Sequence, residues 1–325
     1  MDFLSEYFSS LDPAAFVQAL PGNIAQGVLW GIMALGVYIT YKILNFADLT
    51  VDGSFATGGA VTAMMLLSGA PIWLTMIVAF LSGIAAGLVT GLLHTLLGIP
   101  DILAGILSQI ALYSINLNIM GQSNRTISVD NFDLVISLRD VYMAIIAALV
   151  FAAVIMALLY WYFGTEQGSA IRATGCNPKM APAQGINIGL DKIIALALSN
   201  GLVALSGSLM SQYQGFADVN MGRGAIVIGL AAVIIGQVIG EAIFRKRFGF
   251  IMRLIFVVIG GVIYYIVMGI VLWLKMPTDD MKLFTALIVA LFLALPYLRK
   301  KRLTSFKRLV KINKKNAEAE VEENA

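Results

Sequence analysis

The sequence predicts an all-α, polytopic membrane protein of about nine transmembrane helices in two inverted repeats. Three observations lead there. Of 325 residues, 59% are hydrophobic and only 13% charged, about half the charged share of a soluble domain. The few charges are grouped, leaving long uncharged stretches. The chain also resembles itself at an offset of 170 residues. This composition excludes a soluble globular domain, a disordered chain and a disulfide scaffold. Cys176 is the only cysteine and His94 the only histidine, so an intrachain disulfide and a His-rich metal site are both ruled out.

An ionised side chain near the bilayer centre costs about 2.5–3.5 kcal/mol, so uncharged stretches mark spans. Residues 1–17 are too polar to cross and lack a basic leader region, which predicts a surface-lying amphipathic helix rather than a cleavable signal. Uncharged stretches follow at 13–41, 53–100, 102–124, 141–165, 193–217, 224–240, 254–274 and 283–298. The second is too long for one helix of about 20 residues. Ser68-Gly69-Ala70-Pro71 breaks it, with Pro71 suited to the first turn of the next helix. Segments 53–68, 224–240 and 283–298 are short, which predicts tilted, broken or partly re-entrant spans.

Lys and Arg near the span ends orient the chain. Arg299 to Lys315 holds nine basic residues and no acid, so the C-terminus is expected in the cytoplasm. Arg245-Lys246-Arg247 and the loop carrying Arg172, Lys179 and Lys192 share that side if spans alternate. Segment 125–140 and the N-terminus then lie outside. The net charge of +3 resides in the tail, which suits anionic lipid headgroups and is no sign of a nucleic-acid binder.

The repeat joins Gly31-Ile32-Met33-Ala34-Leu35 to Gly201-Leu202-Val203-Ala204-Leu205, Phe46-Ala47-Asp48-Leu49 to Phe216-Ala217-Asp218-Val219, and Gly59 to Gly229. Five spans precede the second copy, and an odd number inverts it. That arrangement favours a transport fold, with the pathway at the repeat interface and breaks in corresponding helices.

Each Phe-Ala-Asp falls where one helix ends and the next begins. A broken helix frees N–H and C=O groups that lipid cannot satisfy. Asp52 or Ser54 is a candidate N-cap for the following helix. Asn45, Asp48, Thr50, Asp52 and Ser54 in the first copy, and Asp218, Asn220 and Arg223 in the second, are candidates for a translocation pathway. Structural caps are the alternative, and the two roles are compatible. Arg223 is close enough in sequence to Asp218 for a gate-like ion pair. Gln109, Asn116 and Asn118 are intramembrane amides expected mainly in helix packing, and His94 is expected to pack or cap.

Segment 164–192 is the longest loop on the basic side. Thr165 or Ser169 would cap a short helix ended by Gly175, Asn177-Pro178 would turn the chain, and a second short helix would follow. The motif Thr165-Glu166-x-Gly168-x-Ala170-x-Arg172-Ala173-x-Gly175-x-Asn177-Pro178, with Gly185-Ile186-Asn187, resembles the coupling loop of ABC importer permeases of the branched-chain amino acid/ribose type. Leu44-Asn45-Phe46-Ala47-Asp48 resembles their Asn-Phe-Ala element. Its extension through Ser54 is similar to a subgroup associated with aromatic amino acid uptake, including tryptophan. The resemblance covers about residues 20–298.

This resemblance implies a permease subunit in a bacterial inner membrane, with an N-terminal segment 1–19, a first repeat 20–163, a coupling loop 164–190, a second repeat 191–298 and a tail 299–325. Glu166 to Pro178 would form the coupling helix for a cytoplasmic ABC ATPase dimer. Arg172 would make a charged contact, and Gly168, Ala170 and Gly175 would allow close packing. A second copy or a paralogous permease would complete the pore, and an extracellular or periplasmic solute-binding lipoprotein would deliver the solute. The residues add one point: no Gly-Lys pair occurs, so no phosphate-binding loop is present. ATP and Mg are therefore expected on the partner ATPase and no cofactor on this chain. An ion-coupled secondary transporter using Asp48, Asp52 and Asp218 is the alternative; a polytopic enzyme lacks a catalytic cluster.

Overall fold

The computed structural model describes residues 13–128, 132, 134–244 and 249–274, with scattered helical positions between 283 and 294. Residues 1–12 of the expected surface helix, Arg245-Lys246-Arg247 and the tail 299–325 lie outside the described residues, as does much of the span 283–298; residues 13–17 of that expected helix begin a long helix from Pro13 to Tyr38. The fold up to Thr278 forms one compact unit.

Among the described residues nine α-helices order this unit: α1 (Pro13–Tyr38), α2 (Thr50–Leu67), α3 (Ile72–Thr95), α4 (Asp101–Met120), α5 (Val141–Tyr162), α6 (Glu166–Cys176), α7 (Ile188–Gln214), α8 (Ala225–Phe244) and α9 (Phe250–Trp273). Among the same residues seven helical stretches are long and apolar enough to cross a membrane, namely Pro13–Ile43 and the stretches containing α3, α4, α5, α7, α8 and α9. Two expected spans fall outside this set. One is α2, polar for a span but with 13 of its 18 residues buried; the other is 283–298. Among the described residues, a departure from helix that sequence patterning did not suggest is a two-stranded ribbon, β1 (Asn124–Thr126) antiparallel to β2 (Phe216–Asp218).

Helices α1 and α7 form the centre. They run antiparallel: Ser199 Oγ donates to Gly36 O and Ser206 Oγ to Leu29 O, both at 2.7 Å, and Tyr213 Oη to Gly22 O at 3.5 Å. Lipid supplies no hydrophobic drive between helices, so close approach of small residues and hydrogen bonds must hold the bundle. Helix α3 packs along α7 and α9 along α1. A methyl group at Gly87 would collide with the Leu196 carbonyl, and one at Gly261 with Gly27. Apolar side chains of α5 such as Val150, Val154, Leu158 and Trp161 are exposed, as a lipid-facing helix requires.

Helix α2 runs parallel to α7, with Ser54 on Asn200 and Thr62 on Ser208. Asn200 lies 12 residues beyond Ile188, or about 18 Å along the helix. The first turns of α2 therefore lie inside the bundle, beside the middle of α7.

Candidate functional site

The break between α1 and α2 is built locally. The last turn of α1 widens into a π-turn at Ile39–Ile43, a feature common where function bends a helix. Asn45 follows with φ 57°, the only non-glycine at positive φ among the described residues, and Asn is the side chain that tolerates this conformation. Asp48 then ends the break: Oδ1 accepts the Thr50 N–H at 2.9 Å and Oδ2 accepts from Asn200 Nδ2 at 2.7 Å. Ser54 Oγ donates to Asn200 Oδ1 at 2.7 Å. Thr50 and Thr90 hydroxyls meet at 2.8 Å, and Thr90 donates to Ser108 at 2.7 Å. Asp48, Thr50, Ser54, Thr90, Ser108 and Asn200 are all buried, so this is a closed network tying α2 to α3, α4 and α7. Asn45 is exposed.

The second break is more open. Gly215, at φ 74°, ends α7, and β2 then pairs with β1. Asp218 accepts the Asn220 N–H at 2.6 Å and Asn124 Nδ2 at 3.4 Å. Among the described residues it has no ion pair, so the expected Arg223–Asp218 gate is not formed; Asp218 turns to these amides instead. The chain then enters the bundle, where a methyl on Gly222 would collide with the Asp52 carbonyl.

Asp52 does not cap its own helix, and neither does Ser54, because α2 already starts at Thr50. Asp52 caps α8 instead, accepting the Gly224 N–H at 3.0 Å and the Ile226 N–H at 2.9 Å. The N-termini of α2 and α8 thus meet at one carboxylate, which offsets the positive ends of both helix dipoles. Gln109 Nε2 lies 3.5 Å from Asp52, and Asn116 Nδ2 3.4 Å from Gly53 O. Asp52, Gln109, Tyr113, Asn116 and Arg223 line a cavity of about 260 Å³. The buried Asn116 Oδ1 has no hydrogen-bond partner. Asp218 and Asn220 line a second cavity on the other side of the turn.

At the opposite end of the bundle, Thr165 caps α6 by accepting the Gly168 N–H at 3.3 Å. Gly175 does not end this helix. It sits against the Ile43 carbonyl, where a methyl would collide, so α6 packs on the π-turn of α1. The Asp191 carboxylate, buried in the first turn of α7, accepts from Gln167 Nε2 and from Thr174 Oγ1, each at 2.8 Å. Arg172 folds back, donating to Phe163 O at 2.7 Å and lying 5.9 Å over the Phe250 ring. Glu166, Ser169, Asn177 and Pro178 remain exposed. Asn177 Oδ1 accepts from the Lys179 and Met180 N–H groups, and a 3₁₀ turn follows at Ala181–Gln184. His94 receives Lys192 Nζ at 2.8 Å and bonds Ile99 O.

The model of the family described as branched-chain amino acid transport system / permease component matches residues 22–296. The chain belongs to this permease family. Among curated proteins, the permease is 41% identical over 293 residues to the tyrosine transport system permease protein of Clostridioides difficile, covering 90% of this chain and 96% of that one. It is 31% identical to an uncharacterized protein of Rickettsia prowazekii, covering 83% and 95%. It is 27% identical to the ribose import permease protein of Haemophilus influenzae, covering 70% and 72%. No solved structure matches it significantly. In the permease, the expected pathway residues other than the exposed Asn45 fall into two groups, a buried network at Asp48, Thr50 and Ser54 and cavity-lining groups at Asp52, Asp218, Asn220 and Arg223.

Proposed function

We propose that the chain is the membrane-spanning subunit of an ATP-driven importer for an amino acid with an aromatic side chain. Two copies, or this chain with a paralogue, surround the pathway. A cytoplasmic ABC ATPase dimer docks on the exposed face of α6, carrying its own ATP and Mg. A solute-binding protein delivers cargo at the end bearing the β-ribbon. The substrate class follows the tyrosine permease relative, while the ribose permease relative marks how widely the scaffold varies in solute.

The observation that carries this reading is the attachment of α6. Gln167 and Thr174 clamp it to α7 through Asp191, and Gly175 seats it on the π-turn. Helix α7 in turn holds Asp48 and Ser54 through Asn200. A push on α6 therefore acts at once on both sides of the first break, as alternating access requires.

Nine spans with a cytoplasmic C-terminus and inverted repeats complete the proposal. Three features support the inversion: α1 and α7 are antiparallel, α3 packs on α7 as α9 packs on α1, and the N-termini of α2 and α8 meet at Asp52. Of the proposed pathway residues, Asp52, Asp218, Asn220 and Arg223 face the solute, and Asp48, Thr50 and Ser54 fix the break. Vesicles holding the chain with its ATPase and binding protein test the proposal. ATP-dependent tyrosine uptake that needs all three components is expected, and gradient-driven uptake by the chain alone overturns it.

A further inference from the structure

The second cavity, of about 310 Å³, has a different character from the Asp52 site. Trp30 and Phe55 stack along it, with ring centroids 4.8 Å apart and planes at 26°, and Phe216 forms another wall. Its polar lining comes from Asp218, Asn220 and Gln214. Two of the lining residues carry a buried polar atom without a hydrogen-bond partner: the indole Nε1 of Trp30, a residue only 7% exposed, and Oδ1 of Asn220. Asp218 has no cation beside it among the described residues. A buried donor without an acceptor is costly, and Asp218 adds a carboxylate bonded only to amides. Such a set is complementary to a ligand that brings a cation, an oxygen acceptor and a flat apolar group.

We infer that this cavity is a solute subsite within the permease itself, selective for an α-amino acid with an aromatic side chain. Asp218 and Asn220 Oδ1 receive the α-ammonium, the Trp30 N–H donates to an oxygen of the ligand, and Trp30, Phe55 and Phe216 enclose the ring. Aromatic rings favour stacked and edge contacts with another ring over an aliphatic chain, and the volume lies within the range of small-molecule sites. The cavity lies beside the β-ribbon, so a solute handed over at that end meets it early. The inference rests on the proposed transport function and adds selectivity inside the membrane subunit.

The test is equilibrium binding of radiolabelled L-phenylalanine to the permease–ATPase complex in nanodiscs, without the binding protein. Binding competed by L-tyrosine, and at least tenfold less well by L-leucine and by N-acetyl-L-tyrosine, is expected. Asp218→Asn weakens it tenfold or more, and the gentler Trp30→Phe weakens it severalfold; co-elution with the ATPase verifies that each variant is folded. Equal competition by L-leucine, unchanged affinity in both variants, or no measurable wild-type binding overturns the inference. If the complete system imports tyrosine under any of those outcomes, only the subsite fails. If it imports no aromatic amino acid, the transport reading fails.

Discussion

The two chain breaks carry the same Phe-Ala-Asp motif and use it in opposite ways. In the first, Asp48 is buried and caps α2 while gripping Asn200, and each neighbouring hydroxyl finds a partner. In the second, Asp218 ties only its own turn and the ribbon, and two residues that line a cavity carry unpartnered polar atoms. On the proposed function, one break is a hinge held shut by internal hydrogen bonds and the other is a lining. A duplicated motif can thus keep its backbone role, ending one helix before the next, while its carboxylates diverge. Helix α6, the proposed coupling helix, packs on the first break at the π-turn.

That contrast predicts where damage is worst. Gly175→Leu drives a side chain into the Ile43 carbonyl and separates α6 from the π-turn, so ATP-driven uptake falls to background. Asp48→Ala leaves the Thr50 N–H without an acceptor and removes one of the two held by Asn200 Nδ2, which keeps the Leu196 carbonyl. An orphaned buried group costs about 1–3 kcal/mol, so thermal unfolding in detergent should show a loss in the upper part of that range. Asp218→Ala, by contrast, removes no capping of α8 and should stay within about 1 kcal/mol of wild type. A larger loss for Asp218→Ala than for Asp48→Ala reverses the assignment of hinge and lining.

Much of the fold is legible because charges are excluded from lipid. The uncharged stretches 53–68 and 224–240 fall close to α2 and α8. The stretch 193–217 starts late because Asp191 and Lys192 lie inside α7, their charges turned to Gln167, Thr174 and His94 rather than to lipid. The short β-ribbon leaves no trace, since three-residue strands have no periodicity to read. At the site, the repeat points to both breaks, but the capping of α8 by Asp52 joins residues 172 apart and cannot be seen locally. Asn200 carries no local signal, because its partners Asp48 and Ser54 lie 152 and 146 residues away. Asp191 looked like the end of a loop.

Two smaller effects sharpen the same comparison. Asp191→Ala frees Gln167 and Thr174, loosening α6 from α7 but leaving its seat on the π-turn. Uptake should fall about tenfold, equivalent to 1.4 kcal/mol of lost coupling, with ATPase co-elution intact; Asp191→Asn, which keeps one acceptor oxygen, should recover part of it. If uptake is unchanged, α6 acts through the π-turn alone.

The smallest effect belongs to the α1–α7 seam, which fixes the distance between the breaks. Ser206→Ala removes one bond to Leu29 O, worth about 0.6 kcal/mol inside a membrane protein, and Ser199→Ala should behave alike. Gly36 allows the backbones to touch at Ser199, where a methyl would press on the Ser199 carbonyl. If that close packing sets the register, the two serine changes add and uptake persists in the double variant. A double loss well beyond about 1.2 kcal/mol, with uptake abolished, would instead assign the register to the serines and make the seam part of the hinge.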